Sequence, residues 1–313
     1  MKSTNWLLNR HVLGALCAAP LLLSSASVFA GEAAPAEAAP AAVEAAPAVV
    51  AAPAEPASPF TFTFNLGLYS DYMFRGVSLS DGPALQGGAD LAHSSGFYVG
   101  TWLSNIDPDY FGKSEALGTN GNHIEQDFYA GYAHTFESGF GVNVLGNYYK
   151  YWEGEKANNI LPSGFNRQHR QDSFEASIAL SYKWFTYTYY NVLTDYYGLD
   201  ETDKNFNVTG DGNTDGADYH ELKVNYTLPI GDLNFLAKVG YQRTPNLQGS
   251  QGDFAIGLNR NFSLPSSGKP IEGFNAGAYY TNTFSVANEA FYVTSSGRDV
   301  NQDKIWFFVK RTW

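Results

Sequence analysis

Apolar and polar residues alternate along most of this chain. Phe60, Phe62, Phe64, Leu66 and Leu68 fall on one side of an extended segment, with Thr61, Thr63, Asn65 and Gly67 on the other. Phe174, Ala176, Ile178, Leu180 and Tyr182 oppose Ser173, Glu175, Ser177 and Ser181 in the same way. Leu222, Val224, Tyr226 and Leu228 oppose Glu221, Lys223, Asn225 and Thr227, and Phe254, Ile256 and Leu258 oppose Asp253, Ala255, Gly257 and Asn259. Successive side chains of a strand point to opposite faces, so a period of two predicts strands with one apolar and one polar face. Twelve such runs can be marked, at 60–72, 83–94, 97–106, 123–137, 139–152, 170–183, 185–197, 217–228, 232–244, 252–263, 271–284 and 303–313.

Their length and spacing narrow the fold class. Many runs reach about 11–15 residues, whereas strands of soluble domains cluster near about 5–6. A tilted strand crossing a bilayer needs roughly 9–11 residues for the hydrocarbon alone. Tight turns ("HSSG", "ESG", "KW", "PIGD") follow the second, fourth, sixth and eighth runs, and long polar stretches such as "DETDKNFNVTGDGNTDG" follow the third, fifth, seventh and eleventh. Short turns at one end and long loops at the other predict an all-β protein, a transmembrane antiparallel up-and-down β-barrel of about 12 strands. An even strand number puts both chain ends on the short-turn, periplasmic side.

The N-terminal region changes the picture of compartment. Lys2 and Arg10 precede the apolar stretch Leu13–Leu23, and small residues Val28 and Ala30 follow. This reads as a signal peptide over 1–30, cleaved after Ala30 and too short to span a bilayer. Cys17 lies inside it behind Leu16, where lipid attachment wants a small residue. With the leader removed no cysteine remains, which excludes a small disulfide-stapled domain. Residues 31–58 are almost wholly Ala, Pro, Val and Glu. Recurrent prolines and the lack of an apolar pattern predict an extended periplasmic spacer. Residues 59–313 form the expected outer-membrane β-barrel. Without Lys2 and Arg10 the 19 basic residues fall to 17 against 31 acidic, a net charge of −14, which excludes nucleic acid as a partner.

Aromatic side chains sharpen the membrane reading. "YYKYW" (Tyr148–Trp152) closes one run and "YKWFTYTYY" (Tyr182–Tyr190) brackets a tight turn. Tyr and Trp favour the water–lipid boundary, which predicts interfacial girdles. At the C-terminus Ile305, Phe307, Val309 and Trp313 are apolar alternate positions, blurred by Trp306 and Phe308, with Arg311 a departure on the same face. A last strand ending on an aromatic is similar to the signal by which the barrel-assembly machinery recognises its clients, with Phe307, Val309 and Trp313 as the assembly signal.

The stretch Ser70–Asn105, "SDYMFRGVSLSDGPALQGGADLAHSSGFYVGTWLSN", resembles the opening of the TorF family of outer-membrane porins. Ser70-Asp71-Tyr72, Phe74-Arg75-Gly76, Gln86-Gly87-Gly88, Ser95-Gly96-Phe97-Tyr98 and Gly100 carry the likeness, and weaker similarity extends to Trp313. The resemblance implies a barrel in the outer membrane of a Gram-negative bacterium. It brings no substrate and no binding residues.

Candidate chemistry follows from the polar faces. Parity directs Asp90, Glu125, Asp127, Glu175, Glu221 and Asp253 inward, facing Lys223, Lys238, Lys304 and Lys310, where opposed charges would line a pore or pair across neighbouring strands. Arg75, beside Asp71 and Tyr72, is a candidate for a constriction or for a rim salt bridge. Asp211, Asn213 and Asp215 begin like a calcium loop, but Leu222 stands where the bidentate glutamate belongs. His123, His169 and His220 fall near acidic residues, yet no nucleophile elbow, zinc motif or phosphate loop accompanies them. The reading is a non-enzymatic, cofactor-free porin-like channel for passive diffusion of small hydrophilic solutes or ions, with modest cation preference. Its partners are outer-membrane lipid, the assembly machinery and the solute. The alternatives are a barrel that binds surfaces through its acidic extracellular loops, and a barrel hydrolase.

Overall fold

The structure, a computed structural model, describes residues 58–110, 113–114, 119–152, 159–160, 166–167, 171–199, 214–245, 247, 249–287, 292–294 and 296–313. The segments expected as leader (1–30) and spacer (as far as residue 57), and Glu115, His169, Asp200, Glu201, Asp203, Asp211 and Asn213, lie outside the described residues. Twelve strands close into one barrel. They are β1 Phe60–Tyr69, β2 Ala84–His93, β3 Phe97–Asn105, β4 Ile124–Thr135, β5 Phe140–Trp152, β6 Ser173–Tyr182, β7 Phe185–Val192, β8 Asp218–Thr227, β9 Leu233–Arg243, β10 Gln251–Leu264, β11 Ile271–Phe284 and β12 Lys304–Thr312. Each pairs antiparallel with its sequence neighbours. β1 and β12 complete the ring, in register from Asn65 opposite Thr312 to Tyr69 opposite Phe308. The seam continues past the strand ends, where the Trp313 amide donates to the Phe64 carbonyl at 2.9 Å and the Ser70 amide to Phe307 at 2.8 Å. No sheet edge is left unpaired along this seam, so the barrel does not present the open ladder that invites aggregation.

Polarity is inverted relative to a soluble barrel. The apolar members of each alternating run point outward and are the most exposed large side chains, Phe62 at 63% and Ile305 at 67% among them. Carboxylates, amides and Lys238 of the opposite face are buried, with Lys223, Lys304 and Lys310 partly so. In water such a surface would be far larger than any apolar patch a soluble monomer carries.

Three local differences from the sequence reading have physical causes. β1 ends at Tyr69 rather than at residue 72, because Ser70 still bonds the wall while Asp71 turns inward to accept the Ser78 hydroxyl at 2.8 Å. β7 ends at Val192 rather than at 197, since Tyr196–Gly198 winds into a 3₁₀ turn with Tyr197 at φ +50°. Third, not all the aromatics grouped as girdle residues face outward. Tyr148 and Trp152 do, but Tyr149 and Tyr151 are buried inside. Trp306 and Phe308 also point inward, stacking with Tyr279 at 4.9 and 5.8 Å, and Tyr69 joins Phe308 at 5.4 Å.

Candidate functional site

The lumen is crossed near its long-loop end by part of the connection between β1 and β2. Met73–Phe74 and Val77–Ser78 form a two-stranded hairpin turned by Arg75 and Gly76. Both turn residues have positive φ, +48° and +81°. Tight hairpins favour such a turn because its twist matches that of the flanking strands, and glycine adopts it freely. The tip reaches the β10–β11 wall. A Cβ on Gly76 would stand 2.6 Å from Thr283 and 2.8 Å from Asp253, on β11 and β10.

Arg75, left-handed despite its side chain, is held at both ends. Its carbonyl accepts from Gln251 Nε2 at 2.9 Å. Its guanidinium donates twice to Glu175, at 2.9 and 2.8 Å, and once to Gln242 at 2.9 Å. The rings of Phe74, Tyr190 and Tyr219 lie 4.7, 4.9 and 4.4 Å from the guanidinium carbon. Burial alone would lower its hold on the proton, but Glu175 outweighs this and raises it well above its ordinary value. Of the two placements left open for Arg75, the geometry is the inward one: the side chain runs from the inserted hairpin to β6 and β9.

The same hairpin ties other walls together. Tyr72 donates to Glu125 Oε1 at 2.9 Å, and burial followed by the charge of Glu125 pushes its hydroxyl well above the ordinary phenol range, so it stays a donor. Asp71 pairs with Lys304 of β12, whose ammonium also reaches Ser78 Oγ at 3.0 Å.

All the inward candidates lie inside the barrel, but in two distinct arrangements. On the β8–β10 wall Lys238 sits 3.3 Å from Glu221 and 3.0 Å from Asp253. Lys223, directly opposite Lys238 in the register, stands 3.9 Å from Glu221. These charges cancel locally. On the β2–β5 wall Asp90, Glu125 and Asp127 have only neutral donors. Tyr129 donates to Asp90 at 2.6 Å, Tyr151 to Glu125 at 3.0 Å and Asn147 to Asp127 at 3.0 Å. No ion pair joins these three carboxylates among the described residues. Lys310 lies toward the short-turn end, level with Gly67 and Asn275, in a stretch lined by amides: Asn275 donates to Asn259 at 3.0 Å and to Asn261 at 2.7 Å.

The remaining candidates lie elsewhere. Phe307, Val309 and Trp313 face outward, and Trp313 stacks on Phe64 at 4.7 Å. Arg311, on the same side, lays its guanidinium 4.6 Å from the Trp313 ring, so its charge is spread over an aromatic face. Asp215 is described without its two calcium-loop companions. Among the described residues no His, Cys, Asp or Glu cluster has the form of a metal site. His220 is exposed on the outer face, 2.7 Å from the Tyr187 hydroxyl. His123 is exposed at the end of the connection between β3 and β4, where its carbonyl accepts from Ile106.

Sequence reasoning passed over Gln242, Gln251 and the inner tyrosines. Parity placed them inside, but only the two-residue turn at Arg75-Gly76 signalled that a segment folds in to meet them.

No curated protein matches the chain in sequence. Solved structures of similar fold include a KdgM porin, with TM-score 0.44 and 8% identity over 80% of this chain and 99% of that one. The outer membrane protein OprD from Pseudomonas aeruginosa gives TM-score 0.35 and 10% identity, over 80% of this chain and 64% of that one. OccAB4 from Acinetobacter baumannii gives 0.35 and 11%, over 78% and 56%. Residues 53–313 match a family described as "Bacterial protein of unknown function", and the chain therefore belongs to the Gcw_chp family.

Proposed function

We propose that this barrel is an outer-membrane, porin-like channel through which small hydrophilic solutes or ions diffuse passively, with a modest preference for cations. The observation that carries the reading is the inverted polarity: a continuous apolar exterior around an interior of carboxylates, amides and lysines. Only a barrel in lipid stabilises both faces, since its outer side chains leave water and its inner ones find polar partners. The resemblance of Ser70–Asn105 to the TorF family of porins accords with this. In this reading residues 1–30 are cleaved on export, 31–58 hang in the periplasm, and Phe307, Val309 and Trp313 engage the assembly machinery.

The inserted hairpin sets the constriction, with Arg75 at its centre. Asp71, Glu175, Glu221 and Asp253 are balanced by Arg75, Lys223, Lys238 and Lys304, leaving Asp90, Glu125 and Asp127 against Lys310. That surplus favours cations. Proteoliposome swelling tests the channel itself. Vesicles carrying the protein should swell faster than empty ones in an isotonic small neutral solute, and equal rates would sink the reading.

A further inference from the structure

Beside the inserted hairpin, bordered by Phe74, Arg75 and Val77, lies a small pocket open to solvent at its mouth. Its walls are aromatic rings set nearly at right angles. Tyr196 and Tyr197 are 4.7 Å apart at 74°, and Tyr197 meets Tyr151 at 6.1 Å and 78°, with Phe74 closing another side. Burial raises the Tyr196 and Tyr197 hydroxyls well above the ordinary phenol range, so both rings stay neutral and present their electron-rich faces.

Carboxyl groups outnumber cationic ones around these rings. Arg75 borders the pocket, but Glu175 neutralises it and Gln242 accepts from another of its N–H groups. Glu125, also in the wall, is 1% exposed and has hydroxyl donors only, while Asp127, two residues along the same face, is 2% exposed. Oδ1 of Asp127 and Oδ1 of the adjacent Asn147 have no hydrogen-bond partner. Hydrogen bonds lessen the cost of a buried carboxylate, and a cation held beside it would favour its charged form. A small metal ion would find few oxygen ligands on ring faces. A neutral sugar would stack on one ring and gain nothing from the surplus charge.

We propose that this pocket binds an organic cation, a solute with an alkylated ammonium head, held over the tyrosine faces and drawn by Glu125. Ring faces at right angles surround such a head from several sides, and cation–π attraction strengthens where water is excluded.

The test uses the full chain purified in detergent, with choline as probe and its uncharged isostere 3,3-dimethylbutan-1-ol and glucose as comparisons, read by calorimetry. Choline should bind about 10-fold more tightly than the isostere, and glucose should not compete. Glu125→Gln and Tyr197→Leu should each weaken choline several-fold in barrels whose heat-dependent gel mobility shows them folded. The comparison of probes on the unaltered protein stands even where a variant does not fold. Equal binding of choline and isostere, no choline binding by a folded barrel, or glucose binding in place of choline would each overturn the proposal. Ion conductance without choline binding would remove this site and leave the channel; choline binding without conductance would do the reverse.

Discussion

At the scale of single residues, Arg75 and Gly76 decide how the lumen is filled. Arg75 occupies a backbone region that disfavours side chains by roughly 1–2 kcal/mol, and five contacts to the far walls hold it there. Replacing Arg75 by Gln leaves Glu175 buried without its cation, a loss of about 3–5 kcal/mol if the site stays dry. Water entering the lumen is the escape. Single-channel recording should therefore show Arg75→Gln with higher conductance and stronger cation preference than the parent, and an unchanged conductance would mean that Arg75 does not constrict. Gly76→Ala tests the hairpin by another route. It places a methyl 2.6 Å from Thr283 at φ +81°, so the tip must lift. The same direction of change is expected, with smaller amplitude and greater open-channel noise. The inward direction of Asp90, Glu125, Asp127, Glu175, Glu221 and Asp253 was legible from strand parity alone. Their partners were not. Arg75 meets Glu175 across the lumen, a hundred positions away, and no local pattern encodes a contact that depends on how one loop folds back.

At the scale of elements, period-two alternation reveals strands because a barrel in lipid needs one apolar and one polar face on every strand. All twelve strands fall within the predicted runs or within a residue of them, and the two overlong runs, at β1 and β7, fail where alternation continues by chance into residues that leave the wall. Aromatics misled for a related reason. Tyr149, Tyr151, Trp306 and Phe308 sit on the polar face of their strands, where rings fill the lumen as readily as they coat the exterior. β12 carries the element-scale prediction. Trp313 stacks on Phe64 at 4.7 Å, and losing one such pair costs about 0.5–1.5 kcal/mol, too little to undo a barrel closed by a full ladder. If Trp313→Asp sharply lowers the heat-modifiable form in outer-membrane fractions while export continues, the effect lies in assembly. Normal amounts in the membrane would remove the tag reading.

At the scale of the molecule, the twelve-stranded ring falls between barrels of about 8 strands, whose interior side chains can fill, and those of 16–18 strands, which leave a wide aqueous channel. The inserted hairpin narrows it further. Wall charges then act at short range in a poorly screened space, and Asp90, Glu125 and Asp127 outnumber Lys310, the one lumen lysine without an ion pair among the described residues. Outside, Asp107 is held by Arg298, so the mouth is less acidic than its composition implies. Selectivity should therefore arise in the lumen and fade as salt shortens the Debye length from about 10 Å at 0.1 M to about 3 Å at 1 M. The most direct measurement is the current through the purified protein in a planar bilayer under a potassium chloride gradient. Discrete conductance steps are expected, with a reversal potential on the potassium side that moves toward zero as both solutions are made more concentrated. A reversal potential on the chloride side would contradict the charge reading, and the absence of any conductance would contradict the channel.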